Sequence, residues 1–407
     1  MSEDTESDAI HILSSDDPLL DWRTVKYPGQ KKVALTLGLG SGAFRHPDDP
    51  WNVITVVSDF GPKFNRNTAR AILGDKAKLS EKALQRVRIR PFRDYAPMIC
   101  RLFLRPETGT FSVLDMIALK DKAGVPLLRP LVPKDSDIST ATPVDAEGVV
   151  RLADGTIWLC GETGPSLIRC APDGRMLKRF VPEGKAGDFD NPGTEIVATL
   201  PAVLTKIQRN RGFEAITLSE DGRSLWLAVQ SPLANPDEAA FEDSRTVRLF
   251  RMDLETETMA EEYAYRLDPP DTFRFDKGPK PADLRISGLA PLSGGDLLVL
   301  ERTDKTTKLV RIGLTSATNI LGSRWDDLKT APSLELFDNL EAADVVPVAK
   351  QPVFDSFDDA PDGPEKFEGV AVLGDGRLAL INDNDFGLGG AETRVMLLGG
   401  RFVDALR

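Results

Sequence analysis

The sequence predicts an all-β protein, a single β-propeller of five or six blades with long loops between the blades. Three observations lead to this prediction: a motif recurs along the chain, each copy contains an Asp-Gly or Gly-Gly turn, and apolar strands flank that turn. Repeated antiparallel sheets of this kind close on themselves as a propeller, which leaves few exposed strand edges.

Each copy of the motif opens with a polar residue seven positions before its turn. Three copies open with glutamate, and the fourth opens with serine: Glu147, Glu214, Glu368 and Ser287. Asp and Gly tolerate the backbone angles of tight hairpins, so each turn should join two antiparallel strands. The second strand ends in another polar residue, 14 to 16 positions after the opening one: Glu162, Gln230, Glu301 and Asp383.

An earlier and degenerate copy has Ser41 and Asp59 in the two polar positions. Residues 1–20 are predicted to be a disordered acidic N-terminal tail, and residues 21–407 to form the propeller domain. The innermost strands of a propeller meet at its axis, so equivalent polar residues of successive blades should form a ring there.

Charge and hydropathy exclude several classes of partner. The chain has 407 residues, 51 of them basic and 63 acidic, and its formal charge is −12. An acidic protein does not favour nucleic acids or anionic membranes. No apolar run approaches the length of a membrane span. We expect a monomer that binds a small-molecule ester or phosphoester, without a nucleic-acid partner.

The N-terminal stretch is acidic and lacks the basic and apolar regions of a signal peptide. The chain as written is therefore expected in the cytoplasm, or in the periplasm or medium if a leader has been removed. Cys160 and Cys170 flank a turn and should lie opposite each other, and two buried free thiols are favoured over a disulfide.

Histidine is nearly absent, since only His11 and His46 occur in the chain. A Ser-His-Asp triad or a three-histidine metal site each requires a positioned imidazole. Any chemistry must therefore use carboxylates, amides, hydroxyls, basic side chains or a metal held by oxygen.

Several stretches together resemble the phytase-like family, described as having an esterase-like activity of phytase. They include "DAEGVVRLADGTIWLCGE", "NRGFEAITLSEDGRSLWLAVQSPL", "LLVLER" and "KFEGVAVLGDGRLALINDNDFG", in order between about residues 35 and 400. The resemblance implies a propeller, hydrolysis of ester or phosphoester bonds and, often, export from bacterial cells. Ala215 departs from the family pattern, which usually has Gly after this glutamate.

Carboxylates that converge on one axis repel each other unless a cation lies among them. Ca²⁺ suits such a site because it takes six to eight oxygen ligands and needs no imidazole. The predicted metal ligands are Glu147, Glu214, Glu368, Asp59, Glu162, Glu301, Asn382 and Asp383. The alternative is structural: the acids bind backbone amides or pair with Arg211, Arg302 or Lys366 to hold the blades.

The sequence therefore predicts a Ca²⁺-assisted hydrolase of phosphoester or carboxylic ester bonds that acts at the central channel. Glu214 or Glu368 is the predicted catalytic general base, since crowded carboxylates have raised pKa values. The predicted substrate-binding residues are Arg211, Gln230, Arg302 and Lys366. Two alternatives remain: a non-catalytic binding propeller with a structural metal ion, and a lactonase-type propeller.

Overall fold

A computed structural model describes residues 9–26, 32–59, 61–62, 92, 94–128, 144–162, 164–189 and 193–406. Five sheets, each with four strands in antiparallel order, form the five blades of a propeller, which confirms the predicted fold class. The innermost strands of neighbouring blades contact one another around a closed ring.

The strands follow the chain from blade to blade. Before the first blade lie β1 (Ile10–Leu13), β2 (Asp21–Lys26) and β3 (Lys32–Thr36), of which β2 and β3 pair as a separate hairpin. Blade 1 contains β4 (Gly42–Phe44), β5 (Val53–Val57), β6 (Met98–Arg105) and β7 (Thr110–Ala118). Blade 2 contains β8 (Ala146–Arg151), β9 (Ile157–Gly161), β10 (Ser166–Cys170), β11 (Met176–Pro182) and an added parallel strand, β12 (Glu195–Leu200).

The remaining blades follow the same plan, with the innermost strand first. Blade 3 contains β13 (Phe213–Leu218), β14 (Ser224–Val229), β15 (Thr246–Asp253) and β16 (Thr258–Arg266). Blade 4 contains β17 (Arg285–Pro291), β18 (Leu297–Arg302), β19 (Thr307–Gly313) and β20 (Ala349–Asp355). Blade 5 contains β21 (Phe367–Val372), β22 (Leu378–Asn382) and β23 (Val395–Leu398).

Strand β1 completes blade 5 as its outermost strand. It runs antiparallel to β23, with Ile10 opposite Leu398 and Leu13 opposite Val395. The prediction that residues 1–20 form a disordered tail is therefore wrong for the part from residue 9 onward, and residues 1–8 lie outside the described residues. His11 belongs to this strand. Its pairing closes the ring of blades.

Helices are short in the part of the chain that the structure describes. The α-helices are Glu238–Asp243, Ser356–Asp359 and Arg401–Asp404. The 3₁₀ turns are Pro18–Leu20, Pro106–Thr108, Ala186–Asp188, Ala202–Lys206, Pro270–Thr272, Pro281–Asp283, Ser293–Gly295, Arg324–Asp326, Leu334–Leu336, Leu340–Ala343 and Asp385–Gly390. Among the described residues, no helix has the length and apolar character needed to cross a membrane.

The predicted Asp-Gly hairpins join the first and second strands of three blades. In blade 2, the Oδ1 atom of Asp154 accepts a hydrogen bond of 2.8 Å from the Thr156 amide, and Gly155 has a φ of 83°. The aspartates of the turns in blades 3 and 5 accept the same bond from the amide two residues on. These side chains satisfy backbone donors that the tight turn leaves without a strand partner.

A β-bulge interrupts the innermost strand of blades 2 to 5 at the residue that opens the motif. The register shifts across Glu147, Glu214, Ser287 and Glu368. A bulge leaves its extra residue out of the ladder and bends the strand, which redirects a side chain. The following residue lies close to the next blade, because a Cβ atom on Gly369 would lie 2.9 Å from Ala43 Cβ.

A buried ionic cluster fastens the long segment between β19 and β20 to blade 3. Arg248 pairs with Glu262 of β16 at 2.6 Å and with Glu335 of that segment at 2.9 Å, and all three side chains are inaccessible to solvent. Removing one partner of such a pair leaves a buried uncompensated charge.

The three cysteines are buried free thiols. The expectation that Cys160 and Cys170 lie opposite each other is wrong, because Cys160 pairs with Leu167 and Cys170 with Ile157. The register centres this hairpin one to two residues earlier in the chain than the midpoint between the cysteines.

Candidate active site in the axial cavity

A cavity of about 560 Å³ lies where the innermost strands converge, and all five blades contribute to its wall. Its lining is charged or polar throughout: Asp59, Glu147, Glu162, Arg209, Asn210, Arg211, Glu214, Gln230, Arg285, Arg302, Asp304, Lys366, Glu368, Asp383 and Asp385.

Two positions in each blade supply most of this lining. The first is the bulged residue of the innermost strand, which is Glu147, Glu214 or Glu368 in blades 2, 3 and 5. The second is the last residue of the second strand or one of the two residues after it: Asp59, Glu162, Gln230, Arg302 and Asp383 in blades 1 to 5. Because the blades repeat around an axis, these residues face one another.

The wall formed by blades 1 to 3 is acidic. Carboxylate oxygens of Glu147, Glu162 and Glu214 lie within 4.8 Å of one another, and so do those of Asp59, Asp145 and Glu147. Glu147, Glu162 and Glu214 are each less than 5% exposed. The Oε2 atom of Glu214 has no hydrogen-bond partner among the described residues. An oxygen-only set of this kind can hold a hard divalent cation.

The wall formed by blades 4 and 5 combines the basic side chains of Arg285, Arg302 and Lys366 with acidic ones. Arg302 donates to Glu368 Oε1 and, at 2.8 Å, to Ser287 Oγ. Lys366 donates to Asp383 at 2.7 Å and to Asp385 at 2.6 Å. These contacts satisfy the structural role that the sequence suggested as an alternative for some of the acids.

Two polar side chains connect acidic residues of the cavity with basic ones. Gln230 Nε2 donates to Glu162 at 3.0 Å, while its Oε1 accepts a hydrogen bond from Arg211. Ser287 accepts from Arg302 and donates to Glu214 at 3.5 Å. Because an amide donates and accepts at different atoms, Gln230 is oriented by the charges on both sides of it.

Burial and neighbouring charges shift the pKa values of several groups in the cavity. Burial raises the pKa of Glu368 to about 7, and the Arg302 guanidinium opposes this effect. Burial also disfavours ionised Asp383, but Lys366 outweighs it and holds the pKa of Asp383 below its ordinary value. Glu368 therefore gains and loses its proton near neutral pH, whereas Asp383 remains ionised.

The structure brings ten of the twelve predicted site residues to the cavity and places two elsewhere. Glu301 is fully buried on the other face of β18, where Tyr265 and Lys350 donate to Oε1 and the Asp268 amide donates to Oε2 at 3.1 Å. Asn382 binds the backbone of Glu392 and Arg394 instead. The roles of the ten that line the cavity stay predictions.

The position of Glu301 has a simple geometric reason. Successive side chains of a strand point to opposite faces, so a shift by one residue exchanges the cavity face for the other. Arg302, not Glu301, follows Ser287 by 15 positions, as Glu162 follows Glu147 and Asp383 follows Glu368. Arg302 is the equivalent residue of blade 4, and it faces the cavity.

Sequence reasoning missed Asp145 and Arg285, which lie two positions before Glu147 and Ser287. In blade 5, Lys366 occupies the same position relative to Glu368. The missed signal is therefore a third recurring position, two residues before the bulge. Sequence reasoning also missed four lining residues that lie in loops and follow no repeat: Arg209, Asn210, Asp304 and Asp385.

A family model described as "Phytase-like: Esterase-like activity of phytase" matches residues 41–386 of this chain. A secreted protein of Arthroderma benhamiae, described as uncharacterized, is 27% identical over 179 residues. That alignment covers 39% of this chain, and the chain spans about a third of the length of this relative (34%).

Solved structures with weak similarity include a luciferin-regenerating enzyme and a putative gluconolactonase. The first is 9% identical, covers 90% of this chain and 92% of its own, and has a TM-score of 0.35. The second is 12% identical, covers 95% of this chain and 98% of its own, and has a TM-score of 0.34. Scores of this size do not establish a shared fold, so the architecture rests on the strand pairing described above.

Proposed function

Because this chain belongs to the phytase-like family, described as having the esterase-like activity of phytase, we propose that it hydrolyses ester bonds in its axial cavity with the assistance of a bound Ca²⁺. The observation that supports this most directly is the composition of the cavity, in which a cluster of buried carboxylates faces a cluster of basic side chains. The substrate is a small molecule that the cavity can enclose.

Glu147, Glu162 and Glu214 would hold the cation. Their oxygens are close enough to share one ion, and Glu214 Oε2 is buried without a hydrogen-bond partner among the described residues. Such an orphaned anionic oxygen costs free energy unless something positive lies against it. A Ca²⁺ ion in this position supplies Lewis-acid polarisation of the ester oxygen.

Glu368 is the proposed general base. Its pKa of about 7 allows it to be ionised, and still basic enough to take a proton, at neutral pH. Arg302 holds its Oε1 atom, so Oε2 is the atom that would accept a proton from the attacking water. Among the described residues, Glu368 lies outside both groups of close carboxylates and is not required as a ligand.

One observation favours a second candidate, a non-catalytic binding propeller. Arg302 of blade 4 pairs with Glu368 of blade 5, as a residue that fastens neighbouring blades together would. In that case the cation would be structural, and Glu368 would have no chemical role.

The relative from Arthroderma benhamiae is described as secreted, which supports export of this chain as well.

The test is hydrolysis of an aryl phosphate and an aryl acetate by chelated protein to which Ca²⁺ is returned. We expect turnover to require Ca²⁺, and Glu368→Gln to lower kcat about a hundredfold or more without reducing the melting shift that Ca²⁺ produces. Glu107→Gln changes an exposed acid on blade 1 and is the control. A Ca²⁺-dependent melting shift without turnover of either ester would favour the binding propeller.

A further inference from the structure

The basic side chains of the cavity fall into two classes according to their partners. Lys366 contacts two carboxylates, those of Asp383 and Asp385. Arg302 donates to Glu368, to Ser287 and, at 3.2 Å, to the Thr303 carbonyl. Both cations are therefore compensated within the folded protein.

Arg211 and Arg285 are much less well compensated. The Arg211 guanidinium donates a hydrogen bond to the neutral amide oxygen of Gln230, and no described carboxylate forms an ion pair with it. Arg285 pairs at 3.0 Å with Asp304, whose side chain is 74% exposed to solvent. The Nε atom of Arg285 is buried and has no hydrogen-bond partner among the described residues.

The electrostatics of the two guanidinium groups agree with their contacts. Burial lowers the pKa of Arg211 to about 10, repulsion from Arg285 adds to the effect, and the charges of Glu162 and Glu214 oppose it. Burial, followed by repulsion from Arg302, also lowers the pKa of Arg285. The two guanidinium charges repel each other, which costs free energy unless an anion binds between them.

We propose that Arg211 and Arg285 form an oxyanion subsite that takes the phosphoryl group of a phosphomonoester substrate and of the phosphate product. The planar fork of a guanidinium matches two oxygens of a phosphoryl group, and two such groups together complement its double negative charge. Neutral carboxylic esters lack that charge. The substrate assignment rests on the proposed hydrolytic function, whereas binding of the anion does not.

Gln230 is a positioning residue in this arrangement. Its amide is fixed by donation to Glu162, so its oxygen can only face Arg211 and restricts the orientation of that guanidinium. Arg211 and Arg285 both line the cavity. The subsite thereby lies next to the carboxylates proposed to hold the cation.

The experiment is calorimetric titration of the chelated full-length protein with inorganic phosphate. A charge-assisted hydrogen bond to phosphate contributes enough that Arg211→Gln or Arg285→Gln should weaken binding about tenfold to a hundredfold. Arg223→Gln removes an exposed arginine from the hairpin turn at the far end of β13 and should leave binding unchanged. Sulfate should bind in the same manner, and acetate more weakly.

A stability measurement separates loss of the subsite from loss of the fold. Arg211→Gln removes one of two repelling buried charges, so the ligand-free variant should melt at or above the wild-type temperature. The proposal is overturned if phosphate binds the wild type and both variants equally, or if it does not bind the wild type. Phosphate binding that depends on both arginines in a protein without turnover would support the subsite and contradict the hydrolytic function.

Discussion

Replacing Glu368 by glutamine should change how the stability of the protein depends on pH. The Glu368 side chain is buried, 6% exposed, at the bulge of β21, and it is held by Arg302. Glutamine has nearly the same shape but cannot titrate. The comparison of the two proteins therefore isolates the proton equilibrium of one carboxyl group.

The sign and size of the effect follow from the pKa. Burial raises the pKa of Glu368 from 4.5 to about 7, so between these two values the folded protein binds more protons than the unfolded chain. Stability from this group is fully present below pH 4.5 and is lost as the pH rises through about 7. The loss amounts to roughly 3 kcal/mol, because each pKa unit corresponds to about 1.36 kcal/mol.

The assay is urea unfolding of both proteins in chelator at intervals from pH 4 to pH 8. The difference in unfolding free energy, wild type minus Glu368→Gln, should fall by roughly 3 kcal/mol over this range. Titrating groups that do not interact with Glu368 behave alike in both proteins and cancel in the difference. A difference that stays constant with pH would show that Glu368 ionises at its ordinary pKa, and one that rises would show that folding lowers this pKa. Either result would remove the basis for its role as general base.

Three other substitutions test the packing and the carboxylate cluster. Arg248→Met should destabilise the fold by about 3–5 kcal/mol in urea unfolding, because it leaves Glu262 and Glu335 buried without their cation; an unchanged midpoint would contradict the buried cluster. Gly40→Ala should destabilise by about 3 kcal/mol or prevent folding, since its Cβ would lie 1.9 Å from a backbone carbonyl oxygen of blade 5; wild-type melting would refute that contact. Glu147→Gln should weaken Ca²⁺ binding in calorimetry by at least tenfold, because Glu147 belongs to both groups of close carboxylates, whereas Glu107→Gln should not; equal affinities would place the ion elsewhere.

The hairpins and the meeting of polar residues at the axis could be predicted because their causes are local. An Asp-Gly pair such as Asp154-Gly155 forms its turn through its own side chain and its own backbone angles. The number of blades could not be read as directly, since long connections obscure the spacing of the copies. The segment between β19 and β20, for example, is fastened by Arg248 of another blade rather than by neighbours in sequence.

The errors at the site arose where residue type was given more weight than position. Glu301 is the predicted ligand because it is an acidic residue at the end of the second strand of its motif copy, although Arg302 has the spacing of Glu162 and Asp383. Asn382 precedes the equivalent position of blade 5 by one residue and faces away from the cavity for the same reason. Arg285 was missed because a search for carboxylates passes over a position that alternates in charge between blades.

The pairing of β1 with β23 also could not be predicted from local sequence. The four residues Ile10–Leu13 are too few to show a strand pattern beside an acidic stretch, and their partner, Val395–Leu398, lies at the other end of the chain. Only the tertiary structure brings these segments together, because a three-stranded fifth blade offers an open edge that another strand can cover.

This pairing has a consequence for synthesis on the ribosome. Strand β1 cannot pair until β23, the last described strand, has been made. Blades 1 to 4 can form as they emerge, but the ring of blades closes only after Val395–Leu398 has left the exit tunnel. The wall that Glu368 and Asp383 contribute belongs to the blade completed at that moment. A nascent chain that lacks Val395–Leu398 therefore has no completed fifth blade, and the wall of the cavity is complete only after that strand has been made.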